Sequence, residues 1–187
     1  MKFLRTKGDD IVELKKEFIK SAIDYINSFS KCFFITTIDE INVIKLLLNI
    51  LSKEIESSKK ILLLSDNQKY LNSVFKNIET GVKLNTPYKI KQHMLFFNII
   101  DKKLLKSESL DEEILIVYPY QNIKPKELAK YVSKCTNLQK LIILGNKFDK
   151  AKLPYEINIL NVSDFSFLPT HSSLYYKYMT SRLTDMK

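Results

Sequence analysis

Short, largely apolar segments recur along this chain, and they constrain its fold more than any other feature. Five have the length of a buried strand and cover residues 32–37, 61–65, 93–100, 114–117 and 141–144. A sixth, INILNV, covers residues 157–162. Strands that are apolar at nearly every position, rather than at alternate positions, are typical of a parallel sheet covered on both faces.

Helical periodicity fills the intervals between these segments. Residues 9–29 place apolar side chains three and four positions apart, which predicts a helix with one buried face. Further helices are predicted over residues 40–57, shortly after Asn67 and over residues 126–135, and Thr37 or Asp39 can cap the first of these. The alternation predicts a three-layer α/β fold with a mostly parallel central sheet and helices on both faces.

We expect the 187 residues to form a single domain, because no linker, repeat or low-complexity segment divides them. Within it the sequence predicts an N-terminal helix (1–29), a sheet core (30–165) and an aromatic C-terminal segment (166–187). That segment includes Tyr175, Tyr176 and Tyr178, and it forms either a closing core helix or a protein-contact surface.

Charge and composition exclude some classes of protein without selecting one. The net charge of +9 fits a phosphate-rich partner, and equally fits the lysine enrichment of an A/T-rich genome. The two cysteines are isolated, and His93 and His171 lack a metal-ligand spacing, so neither a disulfide framework nor a zinc site is predicted. No apolar run reaches the roughly 18–20 residues needed to span a bilayer, and the charged N-terminus does not look like a signal peptide. We therefore predict a soluble cytoplasmic protein with no membrane contact.

One segment, from Ile114 to Gly145, combines a strand, a polar turn, a helix and a second strand. It resembles the Asp-Glu-Ala-Gln strand, turn and helix, and then the Gly-Asp strand, of superfamily-one helicases and the related PhoH-type ATPases. The positions that match that pattern in type and spacing are Gln121, Asn122, Pro125, Glu127 and Gly145. Over roughly residues 30–150 the resemblance is one of element order, and it implies a RecA-like P-loop fold.

The nucleotide motifs of that family are absent from the matching positions. P-loop ATPases hold phosphates on a Gly-rich loop with a Lys, and hold Mg²⁺ on the acids that follow the second motif strand. Here residues 36–43 contain neither Gly nor Lys, and Asp39 and Glu40 would repel a triphosphate at the start of the helix. Tyr118 and Pro119 replace the two acids, and Asn146 replaces the Asp of Gly-Asp. We therefore predict that the chain is not an active NTPase and binds no cofactor.

Several residues remain candidates for binding a partner or nucleic acid. Tyr118 and Tyr120 are predicted at the carboxyl ends of strands, where open α/β sheets bind ligands. They form an aromatic platform for a base or a partner side chain, or they fill the volume that a nucleotide would occupy. In the helicases, the glutamine that Gln121 matches sits near the γ-phosphate and couples to nucleic acid. In this chain Gln121 is either a relic of that role or an ordinary turn residue.

Lysines and aromatic residues are interleaved in two further groups. The first contains Lys83, Tyr88, Lys89, Lys91 and His93, and the second contains Lys140, Lys147, Phe148, Lys150 and Lys152. Such groups can follow a phosphate backbone while stacking bases, or can be an ordinary solvated surface.

The leading hypothesis is a non-catalytic, P-loop-like structural or adaptor subunit of an assembly that processes nucleic acid, with a protein as its main partner. One alternative is direct DNA or RNA binding through the lysine and aromatic groups. Another is an inactive subunit of a clamp-loader-like ATPase complex. An active NTPase with a non-standard loop is the remaining interpretation.

Overall fold

The computed structural model describes residues 8–36, 40–75, 81–100, 110–119, 122–145 and 157–161. The helices are α1 (Gly8–Asn27), α2 (Glu40–Glu54), α3 (Gln68–Val74) and α4 (Pro125–Val132). The strands are β1 (Cys32–Thr36), β2 (Lys60–Ser65), β3 (Tyr88–Ile90), β4 (His93–Ile99), β5 (Ile114–Val117), β6 (Lys140–Gly145) and β7 (Ile157–Asn161).

The strands form one sheet in the order β3-β4-β2-β5-β6-β1-β7. Every neighbouring pair is parallel except β3 and β4, which are antiparallel. The predicted fold class, a mostly parallel sheet with helices on both faces, is confirmed. All six predicted strands are present, and the strand that the sequence did not predict is β3 at one edge.

Helices cover the sheet on two faces, and β1, β2, β4, β5 and β6 contribute side chains to both. Ile61 and Leu63 of β2 pack in the core under α1, α2 and α3, whereas Leu62 and Leu64 pack in the core under α4. Because successive strand residues point to opposite faces, a continuous apolar strand is what two buried faces require. Each fully buried Leu or Ile contributes about 1.5–3 kcal/mol relative to exposure.

The direction of the chain reverses between β2 and β5, which are neighbours in the sheet. The connections through α2 and α3 carry the chain toward the β3 edge, whereas the connection through α4 carries it the other way. Connections between parallel strands are almost always right-handed, so a connection that runs in the opposite direction along the sheet places its helix on the opposite face. The carboxyl ends of β2 and β5 therefore form a topological switch point, the usual ligand position in such sheets.

The end of α2 is tied to the β3–β4 hairpin. The hairpin loop is Lys91-Gln92, and Lys91 has a positive φ of 50°. The Gln92 amide donates to the carbonyl oxygens of Ser52 (3.4 Å) and Ile55 (2.6 Å), which gives orphan carbonyls at the helix end a partner. Among the helices of the described ranges, none is both long and apolar enough to cross a bilayer.

Candidate functional site

The carboxyl end of β2 is a small polar cluster. Ser65 is fully buried, and its hydroxyl donates to Asp66 Oδ1 at 3.3 Å. Asn67 Nδ2 donates to Asp66 Oδ2 at 3.1 Å, while Asn67 Oδ1 caps α3 by accepting from the Tyr70 N–H at 3.3 Å. Asp66 is thus held by its neighbours beside the switch point.

Tyr118 occupies the matching position at the end of β5 and lies inside the protein. It is 3% exposed, belongs to the core under α1–α3, and places its ring edge-on to Tyr70 with centroids 6.0 Å apart. Its N–H donates to the Leu64 carbonyl at 2.9 Å, and the bond to the buried Pro119 is cis. A ring in this position is closed to a base or a partner side chain, so its burial favours the volume-filling interpretation. Tyr120 and Gln121 lie outside the described residues.

The first lysine and aromatic group is divided by the fold. Lys83, Lys89 and Lys91 are exposed, but His93 is fully buried. Tyr88 is half-buried, and its ring packs on Phe97 with centroids 5.1 Å apart. The remaining basic edge lacks an exposed aromatic residue within the described group.

The second group is represented by Lys140 alone, because Lys147, Phe148, Lys150 and Lys152 lie outside the described ranges. Lys140 begins β6 at the amino edge, and its ammonium donates to the carbonyls of Tyr25 (2.9 Å), Ser28 (2.6 Å) and Ser30 (2.9 Å). It also lies 4.7 Å from the Tyr25 ring centroid. An ammonium has three N–H donors, so all of them are used. Burial lowers the pKa of Lys140. Its role is to hold the α1–β1 turn.

Ion pairs join the amino ends of the central strands. Lys59 Nζ lies 2.9 Å from Glu113 Oε1, and the Lys60 N–H donates to Glu113 Oε2 at 3.0 Å. Burial alone would raise the pKa of Glu113, but these donors outweigh it and hold the pKa below its usual value. Lys60 also pairs with Asp111 at the surface. These lysines are engaged within the protein.

His93 is the fully buried histidine of this edge. Its Nδ1 accepts the Lys59 N–H at 3.2 Å, which places the ring proton of the neutral form on Nε2. Burial lowers the pKa of His93, and the nearby Lys59 charge lowers it further. The described part of the chain gives Nε2 no hydrogen-bond partner. His93 is therefore a neutral core residue and is not placed to bind phosphate.

Neither cysteine is placed as a nucleophile. Cys32 and Cys135 are free and buried, and burial raises the pKa of each thiol to about 12. Beside Cys135, the Tyr131 hydroxyl donates to Glu112 Oε1 at 3.3 Å, and burial raises the pKa of that carboxyl. In the ranges that the structure describes, no three His, Cys, Asp or Glu side chains gather as a metal site.

A surface that the sequence did not predict lies at the amino edge. Phe29 is fully exposed in the turn between α1 and β1, two residues after Asn27, which lines a cleft of about 540 Å³ between the ends of α1 and α2. The helical pattern placed Phe29 inside the first helix, whereas α1 ends at Asn27. The flanking Ser28 and Ser30, both turn-forming residues, are the signal that could have indicated the earlier end.

The strand order and the helices on both faces define a three-layer α/β protein with a mostly parallel sheet. Two crystal forms of the large terminase from a thermophilic bacteriophage have a similar fold. One superposes with a TM-score of 0.56 at 9% identity, covering 87% of this chain and 50% of that chain. The other, in complex with ADP, gives 0.59 at 8% identity, covering 87% and 49%.

This chain thus spans about half the length of those terminase chains. No family model matches it, and neither does any curated protein. The terminase similarity supports the RecA-like fold that the helicase resemblance implied, and at such low identity it carries nothing about chemistry.

Proposed function

We propose that this chain is a non-catalytic, P-loop-like structural or adaptor subunit of an assembly that processes nucleic acid. The observation that carries the proposal is the packing of Tyr118. The position that supplies acids in the helicase family holds a tyrosine that is 3% exposed and part of the hydrophobic core.

The chemistry of the neighbouring positions supports the same proposal. Mg²⁺ is held by carboxylates, waters and phosphate oxygens, and neither a buried Tyr118 nor Pro119 supplies a carboxylate. In the phosphate-loop counterpart, residues 36–43 contain neither the Gly nor the Lys that hold phosphates in P-loop ATPases. The terminase structure in complex with ADP shows that a protein of similar fold binds a nucleotide, so ATP binding is the property to test in this chain.

Calorimetric titration of the full chain with ATP and Mg²⁺ tests the proposal. We expect no saturable heat, no phosphate release, and no change when Mg²⁺ is replaced by EDTA. A saturable Mg²⁺-dependent heat would overturn the non-catalytic assignment. Sedimentation over a concentration series, with and without single-stranded oligonucleotide, separates self-association from nucleic-acid binding.

Direct nucleic-acid binding is the second candidate, and the β3 edge favours it. Lys83, Lys89 and Lys91 are exposed there and form no ion pair within the described residues. Lys59, Lys60 and Lys140, in contrast, are engaged in internal contacts. The β3 edge is therefore a described surface whose free lysines can contact a phosphate backbone.

Salt-dependent binding to a single-stranded oligonucleotide tests this candidate. The variant Lys89→Gln/Lys91→Asn removes two charges, and Asn suits the positive φ at position 91. If both lysines contact phosphates, the log–log salt slope should fall by about 1.4, at about 0.7 per contact. Lys45→Gln/Lys53→Gln on α2 is the matched control. An unchanged slope, or no binding by the parent chain, would contradict direct nucleic-acid binding through this edge and leave the adaptor role as the remaining candidate.

A further inference from the structure

We propose that the amino edge of the sheet carries a docking surface for a basic protein segment that also bears an apolar side chain. This amino-edge surface consists of Phe29 and the adjoining cleft between the ends of α1 and α2. The inference rests on the proposed adaptor function, and it places the contact at the edge opposite Tyr118.

Phe29 is the apolar anchor of this surface. Among the described side chains it is the one large hydrophobic residue that is exposed, and it is exposed completely. A solvated phenyl ring contributes nothing to folding of the isolated chain. Buried aromatic anchors of this kind dominate the binding energy of protein interfaces.

The turn that carries Phe29 is held in place before any partner arrives. Lys140 binds the carbonyls on either side of it, those of Ser28 and Ser30. The Ser30 N–H donates to Ser28 Oγ at 3.1 Å, and the Tyr25 hydroxyl lies 2.8 Å from the Lys31 carbonyl. A ring presented on a fixed backbone loses less conformational entropy on binding, which favours affinity.

The cleft beside Phe29 can take an apolar side chain. Its volume is about 540 Å³, and Ile26, Ile55 and Ile114 supply apolar lining at the ends of α1, α2 and the start of β5. Asn27 and Lys140 line it as well and connect it to the turn. A protruding ring and a recess next to it suit a segment that contributes one apolar side chain of its own.

Two carboxylates of the cleft can bind a basic partner. Of the two lysines that line it, Lys59 pairs with Glu113, and Lys140 keeps its positive charge while its three donors bind carbonyls. Glu54 and Glu56 have no ion pair within the described part of the chain. Glu54 ends α2 and Glu56 follows it by two residues, at the helix end where the dipole disfavours a carboxylate and favours a cation such as Lys53 of the last turn.

The attraction of Glu54 and Glu56 for a basic segment is local, because the whole chain is positively charged. At +9, the chain as a whole repels a basic peptide, so binding at this edge depends on the local carboxylates Glu54 and Glu56. A nucleic acid would be repelled by the two carboxylates at this edge.

Two synthetic 12-residue peptides test the inference. They share the same Leu and Phe positions, but one carries Lys and the other Glu at every remaining position. We expect the Lys peptide to bind the full chain, with NMR amide shifts centred on Phe29, Glu54 and Glu56, and the Glu peptide not to bind. Phe29→Ala and Glu54→Gln/Glu56→Gln should each weaken binding at least tenfold, and the second should flatten its salt dependence.

Glu17→Gln/Asp24→Asn is the matched control, because it removes two exposed carboxylates from α1 outside the cleft. It should leave the affinity unchanged, and none of the variants should lower the thermal midpoint. Unaltered affinity in Phe29→Ala or Glu54→Gln/Glu56→Gln would overturn the inference, as would equal binding of both peptides. A dimer of the chain that Phe29→Ala dissociates would also overturn it, by showing that a second copy is the occupant.

Failure of this inference and failure of the proposed function give different results. Mg²⁺-dependent ATP binding removes the non-catalytic function whatever the peptides do. A chain that binds neither ATP nor the Lys peptide contradicts the docking surface alone.

Discussion

The rings of Tyr70 and Tyr118 meet edge to face, with their centroids 6.0 Å apart. Tyr70 lies on the helix that follows β2, and Tyr118 directly follows β5, so the contact spans the switch point between those neighbouring strands. Open α/β sheets bind ligands in this crevice. Here two of the protein's own side chains pack across it, which links the altered site to the stability of the fold.

Replacing Tyr118 should therefore cost stability. We expect Tyr118→Ala to lower the free energy of unfolding by about 3–5 kcal/mol, as for other buried aromatic residues. Phe29→Ala is the matched control and should change it by less than about 0.5 kcal/mol, because that ring is fully exposed. Urea denaturation measures both, and similar values for the two variants would contradict the burial of Tyr118.

Lys140 should matter more to folding than its position on a basic chain suggests. Lys140→Met removes three charge-assisted hydrogen bonds from the α1–β1 turn, and we expect a loss of about 2–3 kcal/mol in the free energy of unfolding. Lys60→Met removes an exposed pair with Asp111 and should change it little. Equal losses in thermal or urea denaturation would argue against the inward role of Lys140.

Acid should destabilise the protein through His93. Because its pKa is lowered in the folded state, the unfolded chain binds the proton more readily at mildly acidic pH. Above pH 6.5, the ordinary pKa of histidine, His93 should make the free energy of unfolding neither rise nor fall with pH. Below pH 6.5 the free energy of unfolding should decrease as pH falls, until the pH passes the lowered pKa of His93 in the folded protein. The slope is at most about 1.4 kcal/mol per pH unit for one group.

The variant His93→Asn isolates this contribution, since Asn keeps an acceptor for the Lys59 N–H and does not titrate. It should lose the slope that begins below pH 6.5. The lowered pKa of Glu113 acts only below its ordinary value of 4.5, so the two effects separate. Parallel urea titrations at several pH values give the measurement, and a persistent slope in His93→Asn would contradict the assignment.

Gly81 should resist substitution because its backbone needs a positive φ. Its φ is +72°, and an added Cβ would lie 3.3 Å from the Asn72 amide, whose Oδ1 accepts the Val82 N–H. We expect Gly81→Ala to lower the free energy of unfolding by about 1–2 kcal/mol. Lys91→Gly, at φ 50° on the exposed hairpin loop, should leave it equal or raise it by up to about 1 kcal/mol. A thermal shift of the same sign in both variants would be inconsistent with this account.

The sheet could be predicted from sequence because its central strands are apolar at almost every position. That pattern depends only on burial from both faces, and β2, β5 and β6 satisfy it. β3 has three residues, two of them half-buried and Lys89 exposed, so it carries no apolar run. Its pairing depends on the hairpin loop at Lys91, which has a conformation that sequence periodicity does not report.

The site was predicted less fully. The position of a residue along a strand shows at which edge of the sheet it lies, but it does not show whether its side chain is buried or which residues it contacts. The sequence placed Tyr118 at a strand end and left two interpretations open. Its contact with Tyr70 depends on how α3 returns across the sheet. Lys140 was grouped with surface lysines, whereas its acceptors at Ser28 and Ser30 lie 112 and 110 residues earlier in the chain. No local pattern encodes such a contact.

The position of β1 between β6 and β7 has a consequence for synthesis and folding. Cys32 pairs with Leu141 on one side and Ile157 on the other, so β1 is made more than a hundred residues before either partner. Until β6 emerges, an apolar strand with two open edges has no place in the sheet, and such strands are prone to mispairing. The chain therefore cannot be divided between α4 and β6 into halves that fold separately.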